Sequence, residues 1–272
     1  MVTPGVPSSP TILVFDSGLG GLTVFREVAK ARPDARYVYV ADDAFFPYGA
    51  HPEAALIERV GAVIDELITD HKPDLAVIAC ATASTLVLPH LRARFVLPFV
   101  GTVPAIKPAC AASRTKRISV LGTDGTVARE YTRALIREFA NGCEVTLVGS
   151  SQLAPIAEAT LRGEAVGNAA IAAEIAPCFL DDGTRRTDIV VLACTHYPLL
   201  IDRFECLAPW RVDWIDPAPA IARRVVDLIG PAAPGTAAEP AYAVFTSGRA
   251  PNPALADVLD RFGLQAGATN RV

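Results

Sequence analysis

The sequence has few of the features that mark disulfide-rich, metal-binding or membrane proteins. Its six cysteines in 272 residues form no C-x-x-C pair and are too sparse for a disulfide scaffold, so we expect reduced thiols. It has four histidines, none at metal-ligand spacing from a cysteine pair, which argues against structural zinc. Charged residues interrupt each apolar stretch before it reaches the roughly 20 residues that span a bilayer. We therefore predict no bound metal and no membrane segment.

The sequence also lacks long runs of lysine or arginine. Its formal net charge is -4 and no run of basic residues interrupts the sequence, so nothing in the sequence indicates a basic surface that binds nucleic acid. Residues 1–10 contain neither the basic start nor the apolar segment of a secretory signal, and a cytoplasmic location follows as the expectation. These absences exclude nucleic acid and membranes as expected partners.

Apolar residues are abundant, at 51% of the total, and they follow two alternating patterns. Short runs rich in Val and Ile predict buried strands, and segments of helical period lie between them, such as residues 52–70 and 127–139. This alternation is typical of βαβ units and predicts an α/β fold with mostly parallel sheets flanked by helices. The predicted strands cover residues 11–15, 37–40, 75–79, 118–121, 145–148 and 189–193.

Two strings that each join a strand to a turn occur twice in the chain. ILVFDSGLGG at residues 12–21 resembles ISVLGTDG at residues 118–125, and VIACAT at residues 77–82 resembles VLACTH at residues 191–196. For the first pair a chance match of apolar strings is an equal alternative. The second pair favours a true repeat, because Ala-Cys followed by small polar residues recurs at the same point of a strand.

The repeat predicts two pseudo-symmetric lobes with the active site in the cleft between them. We assign residues 1–101 plus 213–272 to the first lobe and residues 102–212 to the second. The C-terminal stretch is too short for a core of its own, so we expect it to return to the first lobe.

Cys80 and Cys194 end the two repeated strands and could carry chemistry. A thiol at the start of a helix can have its pKa lowered toward neutrality by the helix dipole and unpaired N–H groups. Racemisation at an α-carbon needs one group to remove a proton from one face and another to deliver a proton to the opposite face. A lone cysteine after an apolar strand is more often a core residue, which is the interpretation we give the other four. The paired context favours function for Cys80 and Cys194.

Small polar residues follow the other strands at the same predicted edge. Asp16 could orient a substrate ammonium or tune a thiol, although Asp16 or Ser17 could equally cap the next helix. Thr123 follows the strand of the second lobe that resembles the strand before Asp16. His196 lies two residues after Cys194 and could assist proton transfer, but a histidine in a loop is more often a surface residue. Its role therefore depends on the assignment of Cys194.

Four segments in order resemble the glutamate racemases of the aspartate/glutamate racemase superfamily. They are FDSGLGGLTV at residues 15–24, ADDAFFPYG at residues 41–49, ACATAS at residues 79–84 and ACTHYPL at residues 193–199. No single segment is specific to the family, but their combination is. Together the segments span the chain from about residue 12 to residue 199.

The resemblance implies interconversion of L- and D-glutamate without a cofactor or metal, supplying D-glutamate for peptidoglycan. It implies that Cys80 and Cys194 are the acid/base pair, assisted by Asp16 and His196. It also implies a small-molecule substrate and a homodimer. The implied substrate-binding residues are Asp16, Ser17, Tyr48, Gly49, Thr82, Thr195, His196 and the residue at position 81, with Glu158 and Thr123 as accessory residues.

One position departs from the family pattern, because Ala81 stands where the family has Asn after the first cysteine. Loss of an amide that binds substrate would leave polar groups unpaired, at roughly 1 to 3 kcal/mol, so we expect weaker binding and slower turnover. Two alternatives stay open at this point. The chain could racemise aspartate or another acidic amino acid, or it could act mainly by binding a ligand or DNA gyrase.

Overall fold

The computed structural model describes residues 9–232 and 240–266, and within them all strands pair in parallel. The strands are β1 Thr11–Asp16, β2 Arg36–Ala41, β3 Leu75–Ile78, β4 Phe99–Gly101, β5 Arg117–Gly122, β6 Glu144–Gly149, β7 Ile189–Ala193, β8 Asp213–Ile215, β9 Ala241–Phe245 and β10 Leu264–Ala266. The helices are α1 Leu22–Ala31, α2 Glu53–His71, α3 Ala81–Arg94, α4 Ile106–Ala112, α5 Asp124–Ala128, α6 Glu130–Phe139, α7 Leu153–Leu161, α8 Asn168–Ile175, α9 Ile201–Leu207, α10 Ala218–Ile229 and α11 Pro253–Arg261. Short 3-10 helices cover Asp43–Phe45, Tyr48–Ala50, Ala176–Cys178 and Tyr197–Leu200.

The strands form two sheets with a shared order. The first sheet runs β10-β9-β2-β1-β3-β4 and the second runs β6-β5-β7-β8. The second sheet therefore repeats the 2-1-3-4 order of the first four strands, with β5 in the place of β1 and β7 in the place of β3. These are the strands that carry the two repeated strings. The predicted α/β fold of two mostly parallel sheets flanked by helices is confirmed.

The C-terminal stretch contributes to both sheets. Strands β9 and β10 extend the first sheet beside β2, whereas β8 pairs with β7 at the edge of the second. We therefore propose that the second lobe runs to Ile215 rather than to Val212, and that the chain then returns to the first lobe. Residues 1–8, 233–239 and 267–272 of the expected first lobe lie outside the described residues.

The central strand β1 is buried on both faces, which explains its continuous apolar sequence. Successive side chains of a strand point to opposite faces. Ile12 and Val14 accordingly pack into one core with residues of α1 and α10, and Leu13 and Phe15 pack into the other with residues of α2 and α3. Two further apolar clusters cover the faces of the second sheet. No helix of the described residues is long and apolar enough to cross a membrane.

A buried arginine joins the end of α1 to the end of α10. Arg32 is 2% exposed, and its Nε and Nη2 donate to the two carboxylate oxygens of Asp34 at 2.9 and 2.8 Å. Its Nη1 donates to the carbonyl oxygens of Ile229 and Gly230 at 3.1 and 3.0 Å, which satisfies backbone groups at a helix end. The returning C-terminal stretch is thus tied to the first lobe by a charged group.

We expect Arg32→Met to lower the free energy of unfolding by about 3 to 5 kcal/mol, because it removes a buried charge that pairs with Asp34 and binds the carbonyl oxygens of Ile229 and Gly230. Arg26→Met is the matched control, since Arg26 pairs with Glu27 at the surface and such pairs contribute less than about 1 kcal/mol. Urea unfolding of both variants measures the difference. Equal losses in the two variants would contradict the assignment of Arg32 as a buried anchor.

Candidate active site

The carboxyl ends of β1, β3, β5 and β7 meet at the junction of the two lobes. Asp16 ends β1, and its Oδ2 accepts a hydrogen bond from Thr195 Oγ1, just after β7, at 3.0 Å. Thr82 and Thr123, which follow β3 and β5, have their hydroxyl oxygens 3.0 Å apart. Ligands of open α/β sheets bind at this end of the strands. The two sheets therefore present one shared cleft.

Cys80 directly precedes α3 and is 4% exposed. Its thiol donates to Ser17 Oγ at 3.4 Å. Burial, with the negative charge of Asp16 as a further cause, raises the pKa of Cys80 to about 12. The expectation of a lowered pKa at this helix start is wrong for Cys80, because desolvation by burial outweighs the hydrogen bonds with Ser17 and the backbone of Ala83 that lower the pKa.

Cys194 faces a different set of partners, in a buried chain of three side chains. Its Sγ lies 3.8 Å from His196 Nδ1, and His196 Nε2 lies 3.0 Å from Glu158 Oε1. Burial lowers the pKa of His196, but its hydrogen bonds to Cys194 and Glu158 and their charges outweigh burial and hold the pKa well above its ordinary value. His196 is 2% exposed, so the surface alternative for this residue is wrong.

Glu158 reaches from α7 into the loop after β1. Its Oε1 accepts the backbone N–H of Leu19 at 2.5 Å, and its Oε2 accepts from Arg162 at 2.8 Å. Burial raises the pKa of Glu158, but its hydrogen bonds and the charges of His196 and Arg162 prevail and lower it. His196 Nε2 lies 3.0 Å from Glu158 Oε1 and 3.2 Å from the backbone nitrogen of Gly20, while Nδ1 faces the Cys194 thiol.

Asp16 is fully buried and bridges the loop of its own lobe to the other lobe. Its Oδ1 accepts the backbone N–H of Gly18 at 3.0 Å, while its Oδ2 accepts from Thr195. Burial raises the pKa of Asp16. The N-cap of α1 is Gly21, without a side-chain hydrogen bond, so neither Asp16 nor Ser17 caps this helix.

Glycines allow the loop after β1 to lie directly against the other lobe. A Cβ added at Gly20 would lie 2.5 Å from His196 Nδ1 and 2.5 Å from Thr195 Oγ1, and one at Gly18 would overlap Glu158 Oε1. Any side chain at these positions would separate the lobes or displace the groups around Cys194.

Tyr48 is held by a buried polar network behind the cleft. Its hydroxyl donates to Asp42 Oδ2 at 2.6 Å, and Asp42 also accepts from Arg59 at 2.6 Å and from Thr246 Oγ1 at 2.6 Å. The tyrosine hydroxyl is therefore committed to Asp42, and a contact of Tyr48 with substrate would come from its backbone. Gly49 lies beside it, with Thr123 close to the position that a Cβ would take.

The hydroxyls of Thr82, Thr123 and Thr126 form a cluster across the lobes, with oxygen separations of 2.9 to 3.2 Å. Ala81 is the first residue of α3 and is 5% exposed, so the position of the family Asn lies in the closed region beside Cys80. The structure brings all the sequence-predicted site residues into this one region.

Several residues of the region were missed by sequence reasoning. Asp42 lies in a recognised segment, but Arg59 and Thr246 support it from distant parts of the chain and no local pattern indicates them. Arg129, which contacts Thr82 and Thr85 across the cleft, also follows no motif. Within the described residues, no group of three or more His, Cys, Asp or Glu side chains could hold a metal ion.

Comparisons with known proteins agree on one family. The Asp/Glu/Hydantoin racemase model matches residues 20–225. The chain is 57% identical to a glutamate racemase from Brucella anthropi over 84% of this chain and 82% of that protein, and 52% identical to one from Brucella ovis over 95% and 96%. It is similar to the structure of Escherichia coli glutamate racemase in complex with L-glutamate and the activator UDP-MurNAc-Ala. That structure has a TM-score of 0.85 and 40% identity, covering 95% of this chain and 97% of the other.

We expect the stabilising contribution of His196 to disappear at alkaline pH. A group whose pKa is raised by folding stabilises the protein below its unfolded pKa, about 6.5 for histidine, and this stability is lost as the pH rises through the folded pKa. The melting temperature of His196→Gln should therefore lie furthest below that of the unsubstituted protein at pH values below about 6.5, and the two should approach each other as pH rises. A difference that grows with pH would contradict a charged His196.

Proposed function

The chain belongs to the glutamate racemase family, within the Asp/Glu/Hydantoin racemases, and is an amino-acid racemase; on this premise we propose that it interconverts L- and D-glutamate with Cys80 and Cys194 as the two proton-transferring thiols. The observation that carries the proposal is the equivalent position of the two cysteines after β3 and β7 of matching sheets. The charge of Cys194 also contributes to the raised pKa of Cys80, which supports a common cleft. The L-glutamate bound to the Escherichia coli relative supports glutamate as the substrate.

The two thiols have different surroundings, and we propose a different starting role for each. Cys80 holds its proton because burial and Asp16 disfavour its thiolate, so it is ready to donate. Cys194 can pass its proton to His196, whose imidazolium is stabilised by Glu158, and the resulting thiolate is the base. In one direction the α-carbon proton moves to Cys194 Sγ while the Cys80 proton moves to the opposite face of the α-carbon.

The reverse direction requires Cys80 to act as the base. The negative charge of Asp16 opposes formation of a thiolate at Cys80, and burial raises the pKa of Asp16. Protonation of Asp16 removes that charge and so lowers the pKa of Cys80. We therefore propose that Asp16 influences proton transfer at Cys80, whereas His196 and Glu158 influence proton transfer at Cys194. The two thiols exchange one proton each with the substrate, so this mechanism requires no cofactor.

The substrate has two carboxylates and one ammonium, and we propose that small polar groups around the cleft bind them. The groups are Ser17, Thr82, Thr123 and Thr195, with the backbone of Tyr48 and Gly49. Buried anions need several hydrogen-bond donors, which hydroxyls and backbone N–H groups supply. We also propose that the D-glutamate serves peptidoglycan synthesis, and that the protein is a cytoplasmic homodimer.

Incubation with L-glutamate in deuterium oxide, without added cofactor, tests the two-thiol mechanism. We expect loss of optical rotation together with exchange of the α-proton, and a loss of racemisation by at least about 100-fold in Cys80→Ser and in Cys194→Ser. Cys206→Ser is the matched control, because Cys206 is an exposed thiol on α9. L-aspartate in place of L-glutamate tests the substrate. Turnover that survives either cleft substitution, or that favours aspartate, would contradict the proposal.

Ala81→Asn tests the effect of the missing amide. We expect kcat/KM for glutamate to rise by about 5- to 150-fold, the equivalent of restoring about 1 to 3 kcal/mol of hydrogen bonding in the closed site. Ala83→Asn is not a suitable control because Ala83 is packed in the core, so Ala173→Asn, at an exposed position of α8, serves instead. An unchanged or lower kcat/KM in Ala81→Asn would show that this chain binds its substrate without that amide.

A further inference from the structure

Arg129 joins the two lobes at the edge of the cleft. It lies between α5 and α6 of the second lobe, and its side chain is 9% exposed. Its Nη1 donates to the carbonyl oxygen of Thr82 and to Thr85 Oγ1, both on α3 of the first lobe, the latter at 2.6 Å. Its Nε lies 3.4 Å from Glu53 Oε1, at the first residue of α2. One guanidinium thus reaches two separate segments of the opposite lobe.

The two segments that Arg129 contacts carry parts of the proposed site. Helix α3 starts directly after Cys80, and Thr82 lies in its first turn. Glu53 follows the short helix that contains Tyr48 and Gly49. A cavity of about 270 Å³ is lined by Arg129 together with Tyr48, Gly49 and Thr82. Arg129 is therefore placed where it can fix the position of these segments relative to the second lobe.

The cleft must open for a substrate to reach the thiols. Cys80 is 4% exposed and Cys194 is 7% exposed, and Asp16 and His196 are buried beside them. A glutamate molecule cannot enter such a site unless the lobes separate. The contacts that cross the cleft, including those of Arg129, hold the lobes in this closed arrangement.

Arg129 makes hydrogen bonds that favour the closed cleft, but one of its side-chain nitrogens makes none. Hydrogen bonds from a charged donor are stronger than neutral ones, and Arg129 makes two of them across the cleft. In contrast, Arg129 Nε is one of two buried side-chain polar atoms of the described residues that have no hydrogen-bond partner. The Glu53 side chain is 64% exposed. Arg129 Nε thus has an ion-pair contact with an exposed carboxylate but no hydrogen bond, so this contact is weak and can hold the lobes without locking them.

We propose that Arg129 is a positioning residue that acts as an interlobe clasp, closing the cleft over the substrate by binding the first turn of α3 and the start of α2. The kinetic part of this inference rests on the proposed racemase function, whereas its structural part does not. The closed fraction of the protein determines its apparent affinity for substrate, so loss of the clasp raises KM.

Alkylation of the cysteines by iodoacetamide, without substrate and followed by mass spectrometry of each cysteine peptide, tests the clasp directly. In Arg129→Met we expect Cys80 and Cys194 to react at least about tenfold faster than in the unsubstituted protein, because the open fraction rises. Removing a nearby cation disfavours the Cys80 thiolate, so a faster reaction reports access rather than reactivity. Arg133→Ala, at an exposed position one turn further along α6, is the matched control and should leave both rates unchanged.

The alkylation rates of two other cysteines distinguish opening of the cleft from unfolding of the protein. Cys206 is exposed and should react at one rate in all variants, and Cys178 is fully buried in the core of the second lobe and should stay protected. Faster alkylation of Cys178 together with the cleft thiols would show general loosening and overturn the proposal, as would unchanged rates at Cys80 and Cys194. If Arg129→Met does not fold, Thr85→Val, which removes one acceptor of Arg129, replaces it under the same criteria.

Steady-state kinetics in both directions provide the second readout. We expect KM for L- and D-glutamate to rise by about tenfold in Arg129→Met, with a smaller change in kcat, and Arg129→Lys to recover part of the loss because it keeps the charge near Glu53. A fall in kcat at constant KM would overturn the clasp. If the unsubstituted protein racemises nothing, the proposed function fails, while the alkylation rates still decide the role of Arg129.

Discussion

Buried carboxylates need hydrogen-bond donors, and in this site each of two buried carboxylates finds a donor in the opposite lobe. Asp16 of the first sheet accepts from Thr195 of the second lobe, and Glu158 of the second lobe accepts the N–H of Leu19. A buried carboxylate without such donors would be costly, so the lobes specify each other's position through these bonds. The close approach at Gly18 and Gly20 follows from the same requirement, because a side chain at either position would disrupt it.

The two lobes repeat a topology but differ in chemistry. Cys80 and Cys194 follow equivalent strands, yet Cys80 has Ser17 and the charge of Asp16 as neighbours, whereas Cys194 has His196 backed by Glu158. A racemase must remove a proton from either face of its substrate, so in the proposed mechanism each thiol serves as acid and as base. The proposed mechanism assigns each thiol its own charged neighbour, an acidic one for Cys80 and an imidazole for Cys194.

The support for the cleft extends well beyond the residues that line it. Thr246, at the end of the last long strand of the first sheet, donates to Asp42, which in turn holds Tyr48. The C-terminal stretch therefore contributes to the placement of the Tyr48–Gly49 turn as well as to the sheet. Arg32 ties the preceding helix α10 to α1, so the same stretch is anchored at both ends of its path.

The α/β fold, the repeat and the family could all be predicted from the amino-acid sequence, because they depend on local patterns. Buried parallel strands require continuous apolar runs such as ILVF before Asp16, and the cysteines mark matching strand ends whatever the packing around them. The hydrogen bond that holds Tyr48, the contacts of Arg129 and the raised pKa of Cys80 depend on long-range packing, and the sequence did not predict them. Thr246 and Asp42 meet across 204 residues of chain, and no periodicity records such a contact. The pKa of a thiol depends on how completely two lobes exclude water from it, which is a property of their packing and not of the residues beside it in the chain.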